Sequence, residues 1–434
     1  MARSHYARAL VLSCLAACAP PEDLSGERTP EGATTVGGLP GLNVDLHQTS
    51  TSGLSSGAFM AVQFHVAHSS IMRGVGVFAG GPYDCAQGSE TTAVTSCMVD
   101  LPSAPDPAAL LSTTEGYAHA GAIDDPAHLD NQRVFLFGGA DDHTVDPKVM
   151  DSLAAYYAKV VTHGDIHYVS RRAGTAHTMP TLNYGGSCDT TASPYIGNCN
   201  YDGAGNALAE IYGPLQPAAK TAGGTFVSID QTKFITNPGS HSLADTGYAY
   251  VPSACASGTL CRVHVVFHGC EQFATSSVGD AFYKHAGYNE WADTNQLIVL
   301  YPQTIAAGSS NPNGCWDWWG YDSADYAKKS GPQIQMVRAM IDQLASGGVG
   351  LPASADGGVT PASPDASGAS QSGKPGSVCF VDNNYQHVVA GRAHLSFGYA
   401  LANGSNQNMG LFTLAVTTSL QQVGPNDFVI ANCP

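Results

Sequence analysis

Five short apolar runs, at residues 74–79, 133–137, 166–169, 263–267 and 297–300, set the main constraint on this chain. Each is too short for a helix and carries apolar side chains at both odd and even positions, the mark of a strand buried on both faces. Helical periodicity alternates with them. Residues 58–67 and 147–161 show it, the latter opening on Pro147, whose missing N–H suits a first helical turn. Residues 332–344 show it too, with Ile334, Val337, Met340, Ile341 and Leu344 on one face. Buried strands joined through helices predict a mostly parallel sheet covered on both faces, an α/β fold. The length, 434 residues, admits two or three domains, or one large α/β domain with additions.

This pattern occupies residues 41–346. Ahead of it, Arg3 and Arg8 flank the start of an apolar stretch, 9–17, too short to span a membrane, which reads as a signal peptide over residues 1–17. The stretch ends in Leu15-Ala16-Ala17-Cys18, which looks like a bacterial lipobox with Cys18 as the lipidated residue; ordinary cleavage nearby would leave Cys18 incidental. Residues 18–40 carry Pro, Gly, Thr and Glu without apolar periodicity and read as a tether. Residues 347–377, rich in Ala, Ser, Pro and Gly, read as a flexible linker to a small module, 378–434. So small a module needs reinforcement, which a Cys379–Cys433 bridge closing its ends would supply.

Lys and Arg number 18 against 35 Asp and Glu, a net charge of −17, so no grip on nucleic-acid phosphates is expected. No apolar run reaches the roughly 18 residues of a spanning helix, which leaves a lipid on Cys18 as the expected membrane contact. Setting aside Cys14 and Cys18 leaves ten of the 12 cysteines, an even number in a chain with an export signal. Cys85/Cys97, Cys188/Cys199 and Cys255/Cys261 are short-range couples, and Cys270/Cys315 and Cys379/Cys433 are the natural remaining partners. Local pairing is the simplest arrangement, although spacing alone does not fix connectivity. Zinc has weak support, with no Cys-x-x-Cys and no His pair at ligand spacing beside the cysteines. Five disulfides, no metal and no cofactor are expected, in an extracellular or cell-surface monomer.

Gly53-Leu54-Ser55-Ser56-Gly57 is a Gly-x-Ser-x-Gly, a string that means little alone in a chain with 49 glycines. Its setting gives it weight. The amphipathic segment Ala58-Phe59-Met60-Ala61-Val62-Gln63-Phe64 follows at once, and a buried strand follows that. Small glycines permit a tight strand-to-helix turn that lifts the Ser55 hydroxyl onto the helix N-terminus. A serine nucleophile requires a base, and the base an orienting carboxylate, in the chain order Ser, Asp or Glu, His for such a turn. After the run 133–137 comes Gly138-Gly139-Ala140-Asp141-Asp142-His143-Thr144-Val145. Asp142 is preferred to Asp141 because its spacing lets Val145 anchor the loop, while Asp141 can cap or turn it. After the next run comes Ala173-Gly174-Thr175-Ala176-His177-Thr178. Of 16 histidines, His177 alone combines the required order with a post-strand loop.

Val266-Phe267-His268-Gly269-Cys270 resembles the His-Gly loop that offers a backbone N–H to a developing oxyanion, beside the N–H of Ser56. In the usual hydrolase order that loop precedes the nucleophile; here it follows by roughly 200 residues. Either the loop is misassigned or the fold is circularly permuted.

Together with further strings, these residues resemble the extracellular poly(3-hydroxybutyrate) depolymerases that carry the permuted, type 2 catalytic domain. Gly53-Leu54-Ser55-Ser56-Gly57-Ala58-Phe59-Met60-Ala61-Val62-Gln63 and Phe78-Ala79-Gly80-Gly81-Pro82-Tyr83-Asp84-Cys85 match first. Asn198-Cys199-Asn200-Tyr201-Asp202-Gly203, His268-Gly269-Cys270-Glu271-Gln272, Tyr301-Pro302-Gln303 and Asn311-Pro312-Asn313-Gly314-Cys315-Trp316-Asp317-Trp318 follow. The matches span most of residues 50–346. The resemblance implies a circularly permuted α/β-hydrolase fold, with Ser55, Asp142 and His177 as the triad and the amides of Ser56 and Cys270 as the oxyanion hole. It also implies a Cys270–Cys315 disulfide holding that loop. Ala58 stands where the family often has Gly, a methyl that a helix tolerates. The implied chemistry is ester hydrolysis through an acyl-enzyme, on poly(3-hydroxybutyrate) or its oligomers.

Trp316, Trp318, Trp319 and Tyr321 are four aromatics in six residues. Core packing accounts for them as well as an apolar subsite wall does; the resemblance favours the wall for Trp316 and Trp318. The module's alternating Phe412-Thr413-Leu414-Ala415-Val416 reads as mostly β. It resembles modules appended to other secreted depolymerases and esterases, which implies a hold on insoluble polyester; a stabilising appendage without a ligand is the other reading. An esterase for short-chain or plant-wall acyl groups, such as feruloyl or acetyl esters, is the alternative function. A non-catalytic surface-binding protein is a more distant one, opposed by the intact Ser–Asp–His order.

Overall fold

The computed structural model describes residues 35–347 and, within 379–431, all but 385–386, 388–389, 391, 397–398, 406, 412–416 and 425–426. The signal peptide expected at 1–17, Cys18, most of the tether, nearly all of the linker and Cys433 lie outside the described residues.

Eight strands build the central sheet: β1 Thr49–Leu54, β2 Met72–Phe78, β3 Arg133–Gly139, β4 Asp165–Arg172, β5 Thr225–Asp230, β6 Thr246–Val251, β7 Arg262–Phe267 and β8 Leu297–Tyr301. Their order across the sheet is β5-β6-β8-β7-β1-β2-β3-β4. β6 pairs antiparallel with both neighbours, and every other pairing is parallel. Moving β5–β8 ahead of β1–β4 and renumbering turns the order into 1-2-4-3-5-6-7-8. In that count β7 becomes the third strand, whose following loop lends an oxyanion amide in α/β hydrolases. The fold is therefore a circularly permuted α/β hydrolase, which accounts for the late position of the His-Gly loop.

The five apolar runs are β2, β3, β4, β7 and β8, but β4 is the edge strand and, against the expectation of burial on both faces, none of its residues is buried. β1, with the sequence Thr-Ser-Thr-Ser-Gly-Leu, gives no apolar signal, yet Thr49, Ser50, Thr51 and Ser52 are fully buried. Ser50 and Ser52 hydroxyls hold the two ring nitrogens of His264 on β7 at 2.6 and 2.8 Å, and they also bond Tyr212 and Tyr288. Hydroxyls paired in this way cost little to bury. Burial takes the His264 imidazole down to about 3, so it is neutral.

Five longer helices accompany the sheet: α1 Ser56–Ala67, α2 Pro107–His119, α3 Pro147–Tyr157, α4 Gly203–Tyr212 and α5 Pro332–Ala345. α3 stops before the expected end at 161, because the N–H groups of Val160 and Val161 both turn back to the Tyr157 carbonyl. α1 is not amphipathic. All of its residues are buried, and its polar members are paired: Gln63 donates to the Asp317 carbonyl, and His65 bonds Tyr157 and Gln132. The tether also ends earlier than expected, since Thr35–Val36 pairs with Leu39–Pro40 across Gly37 and Gly38, both at positive φ, and Leu39 is buried.

Residues 379–431 form a separate unit of two three-stranded antiparallel sheets, Cys379–Asn383 with Thr417–Gly424 and Asp427–Ile430, and Ala393–Ser396 with Tyr399–Ala402 and Asn408–Leu411. Its core gathers Ala393, Ala402, Met409, Leu420 and Phe428. Cys379 is disulfide-bonded, while the alternation noted at 412–416 lies outside the described residues.

Candidate active site

β1 runs into α1 through Ser55, which sits at φ 58° and ψ −124°, a conformation strained for any residue with a Cβ. Backbone contacts hold it there. Its N–H donates to the Phe78 carbonyl, and its own carbonyl accepts from Ala58 and Phe59 in the first turn of α1. Both motif glycines are required by close approach. A Cβ on Gly53 would lie 2.2 Å from the Gly57 carbonyl oxygen, and one on Gly57 2.3 Å from the oxygens of Phe267 and His268.

The loops after β3 and β4 carry Asp142 and His177. The two loops continue the strand pairing, with Ala140 N–H donating to Arg172 O and Asp141 N–H to Thr175 O. Asp142 Oδ2 lies 2.9 Å from His177 Nδ1, while Oδ1 accepts the N–H groups of Thr144 and Val145, each at 2.9 Å. Asp142 is buried and Asp141 exposed. With one carboxylate oxygen held by amides, the other fixes the imidazole with its proton on Nδ1 and Nε2 free to act as a base. Ser55 and His177 line one cavity without a hydrogen bond between them; such bonds commonly close when substrate seats.

Beyond β7, the His-Gly loop turns back over Ser55, and a Cβ on Gly269 would sit 3.5 Å from the Ser55 Cβ. Among the described residues, neither the Ser56 nor the Cys270 N–H has an internal acceptor. His268 is fully buried, bonds the Gly269 carbonyl through Nδ1 at 2.7 Å and faces Thr304 through Nε2 at 3.3 Å. Burial lowers it to about 4, so it is a neutral pin for the loop. The disulfide Cys270–Cys315 ties the loop to the segment carrying the tryptophans. Cys85–Cys97, Cys188–Cys199 and Cys255–Cys261 are also formed.

Ser55 opens into a cavity of about 480 Å³ with an apolar wall of Leu54, Phe59, Val94, Met98, Val145, Trp318 and Trp319. Trp318 stacks on Phe59 at 4.1 Å between ring centroids, and Trp319 meets it edge-on. The buried Asp317 carboxylate shapes this corner by accepting four N–H groups, from Gly320 to Ser323. Trp316 is a correction to the expected subsite wall. Its ring is fully buried against Phe267 and His268 and belongs to the core, not to the cavity. Sequence reasoning assigned no role to Thr191, Tyr195 or Gln272, which also line the cavity. Gln272 stands in the quoted His-Gly-Cys-x-Gln string, and the Cys188/Cys199 couple marks the loop of the other two.

A scan of protein-family profiles found none that matches the chain. A poly(3-hydroxybutyrate) depolymerase from Delftia acidovorans is 39% identical over 91% of this chain and 94% of the relative. A polyhydroxybutyrate depolymerase from Talaromyces funiculosus is 41% identical over 71% of this chain and 93% of its own length. Among solved structures, the crystal structure of PHB depolymerase from Penicillium funiculosum is similar at a TM-score of 0.66 and 39% identity, covering 71% of this chain and 99% of that one. A serine-to-alanine variant of a PHB depolymerase, complexed with an R3HB trimer, is similar to the same degree.

Proposed function

Because the chain belongs to the poly(3-hydroxybutyrate) depolymerase family, we propose that Ser55, Asp142 and His177 are the groups with which it hydrolyses that polyester. The chain is an ester hydrolase acting on poly(3-hydroxybutyrate) or its oligomers. The observation that carries the residue assignment is the strained Ser55 on one cavity with a His177 whose Nδ1 is held by a buried carboxylate.

His177 Nε2 takes the Ser55 proton as the hydroxyl oxygen attacks an ester carbonyl. The carbonyl oxygen becomes an oxyanion bound by the N–H groups of Ser56 and Cys270, a stabilisation of about 10²–10³-fold per donor. Collapse expels the alcohol end of one chain fragment, which takes the proton from His177, and leaves a hydroxyacyl ester on Ser55. Water, deprotonated by the same imidazole, attacks this ester and releases the acid. Trp318 and Phe59 offer an apolar surface to the methyl-bearing repeats. Export through residues 1–17, oxidation of the cysteines outside the cytoplasm and a lipid on Cys18 complete the proposal, with the chain acting as a monomer. The module 378–434 holds the enzyme on insoluble polymer and raises its effective concentration there.

Clearing of a poly(3-hydroxybutyrate) granule suspension tests this, with wild type, Ser55→Ala and a chain ending near Gly347. Clearing by wild type, none by Ser55→Ala and slower clearing by the truncated chain is expected. No clearing by wild type, with brisk Ser55-dependent hydrolysis of a short soluble ester, would leave a small-ester hydrolase instead.

A further inference from the structure

Gln272 stands where the oxyanion loop meets the loop that backs the imidazole. Its side chain is 1% exposed, and both ends of its amide are engaged. Oε1 accepts the Gly269 N–H at 2.7 Å, while Nε2 donates to the carbonyls of Pro194 at 2.9 Å and Tyr195 at 3.2 Å. The Tyr195 carbonyl also accepts the N–H of Met179 at 2.9 Å, two residues beyond His177. The His177 N–H itself donates to Thr191 Oγ1 at 3.1 Å. Thr191 and Tyr195 both lie within the loop closed by Cys188–Cys199. On the exposed side the Tyr195 hydroxyl donates to Glu271 Oε2 at 2.5 Å.

Position 272 therefore needs an acceptor aimed at an amide and a donor aimed at two carbonyls, which a neutral primary amide supplies in one group. A carboxylate would keep one oxygen on the Gly269 N–H but set a negative oxygen against both carbonyls. A methionine would fill the volume and bond none of the three.

We propose that Gln272 is a positioning residue for ester hydrolysis, holding the Cys270 N–H and the His177 ring in one frame through Gly269 and Tyr195. The proposal rests on the roles given above to Ser55, His177 and Cys270. Gln272 touches no reacting atom; it keeps oxyanion donor and base at a fixed separation while substrate seats. Misplacement of such groups by about 1 Å costs up to about 10²-fold in rate, so a partial loosening is worth about tenfold.

The test is Gln272→Glu, with kcat and KM measured on a soluble 3-hydroxybutyrate trimer methyl ester from pH 5 to 9, beside wild type and Ser55→Ala. Ionised, the new carboxylate repels the two carbonyls. Protonated, it donates to one of them while still accepting from Gly269. Burial and the adjacent Glu271 carboxylate push its pKa up. Tyr195, His177 and His268 are the other titratable groups around it, and the ratio of variant to wild type removes their shared effects. The expected ratio of kcat is about one tenth above pH 8 and climbs toward one as the pH falls to 5, with KM near wild type. A ratio that does not change with pH, while Ser55→Ala is inert, overturns this proposal alone. Cleavage by Ser55→Ala as fast as by wild type overturns the site reading and this proposal with it. If thermal melting shows Gln272→Glu to be unfolded, Gln272→Met removes the bonds without a charge. A tenfold loss of kcat at unchanged KM then supports the frame, and kcat within twofold of wild type overturns it.

Discussion

His177 Nδ1 lies 2.9 Å from Asp142 Oδ2, and both side chains are almost wholly buried. The other oxygen of Asp142 is committed to the N–H groups of Thr144 and Val145. In Asp142→Asn those amides keep the carboxamide oxygen, so its NH₂ turns toward His177 and forces Nδ1 to accept. Nε2 then carries the ring proton and cannot take one from Ser55. The expected result is a fall in kcat of about 10⁴-fold with little change in melting temperature, read with a soluble short-chain ester.

Cys270 and Cys315 are 45 residues apart, and their disulfide joins the proposed oxyanion loop to the tryptophan segment. Replacing both by Ser removes a cross-link worth about 4 kcal/mol for a loop of this length. Denaturant unfolding should show that loss, and kcat should fall because the Cys270 N–H no longer has a fixed direction.

Trp316→Ala and Trp318→Ala should separate cleanly. Trp316 is a core side chain, so its loss opens a cavity and lowers stability by about 3–5 kcal/mol. Trp318 stacks on Phe59 at the cavity wall. Its loss should raise KM for oligomers several-fold, in line with about 1 kcal/mol per aromatic contact, while unfolding changes less than for Trp316→Ala.

His65 is buried between the Tyr157 hydroxyl and Gln132 Oε1. The Gln132 NH₂ is spent on the Ser69 and His128 carbonyls, so Gln132 must accept from His65, and the ring is neutral with its proton on Nε2. Burial lowers its pKa to about 4, against 6.5 when exposed. The unfolded chain therefore takes up a proton that the folded chain refuses. Stability is unaffected above about pH 6.5, is lost as the pH falls toward 4 and levels off below that, a loss of roughly 3 kcal/mol. Asp317, raised to about 6 by burial, acts in the opposite sense. His65→Gln should reduce the slope of unfolding free energy against pH between 6 and 4.5 by close to one proton.

The proposed triad, Ser55, Asp142 and His177, is legible in the sequence because such chemistry demands fixed residue types, in a fixed order, each just past a strand. The strand beneath the nucleophile is not. β1 is buried through hydroxyls paired with His264, so neither apolarity nor alternation announces it. Trp316 and Trp318 look alike in sequence and both are buried; Phe267 and His268, close to 50 residues away in the chain, enclose Trp316, while Trp318 also lines the cavity. The Gln272 frame is hidden for a similar reason, since its partners meet only after the loop of residues 188–199 closes over the site.

The permuted strand order also bears on how the molecule is made. Ser55, Asp142 and His177 all belong to the half of the sheet that leaves the ribosome first, and Cys270 to the half that leaves last. A growing chain thus holds the whole proposed triad long before it holds the proposed oxyanion amide. The segment between α4 and β5 is the seam between these halves. If the chain is severed there, the proposed triad and the proposed oxyanion amide fall on different fragments, so ester cleavage is expected only where the two fragments reassociate.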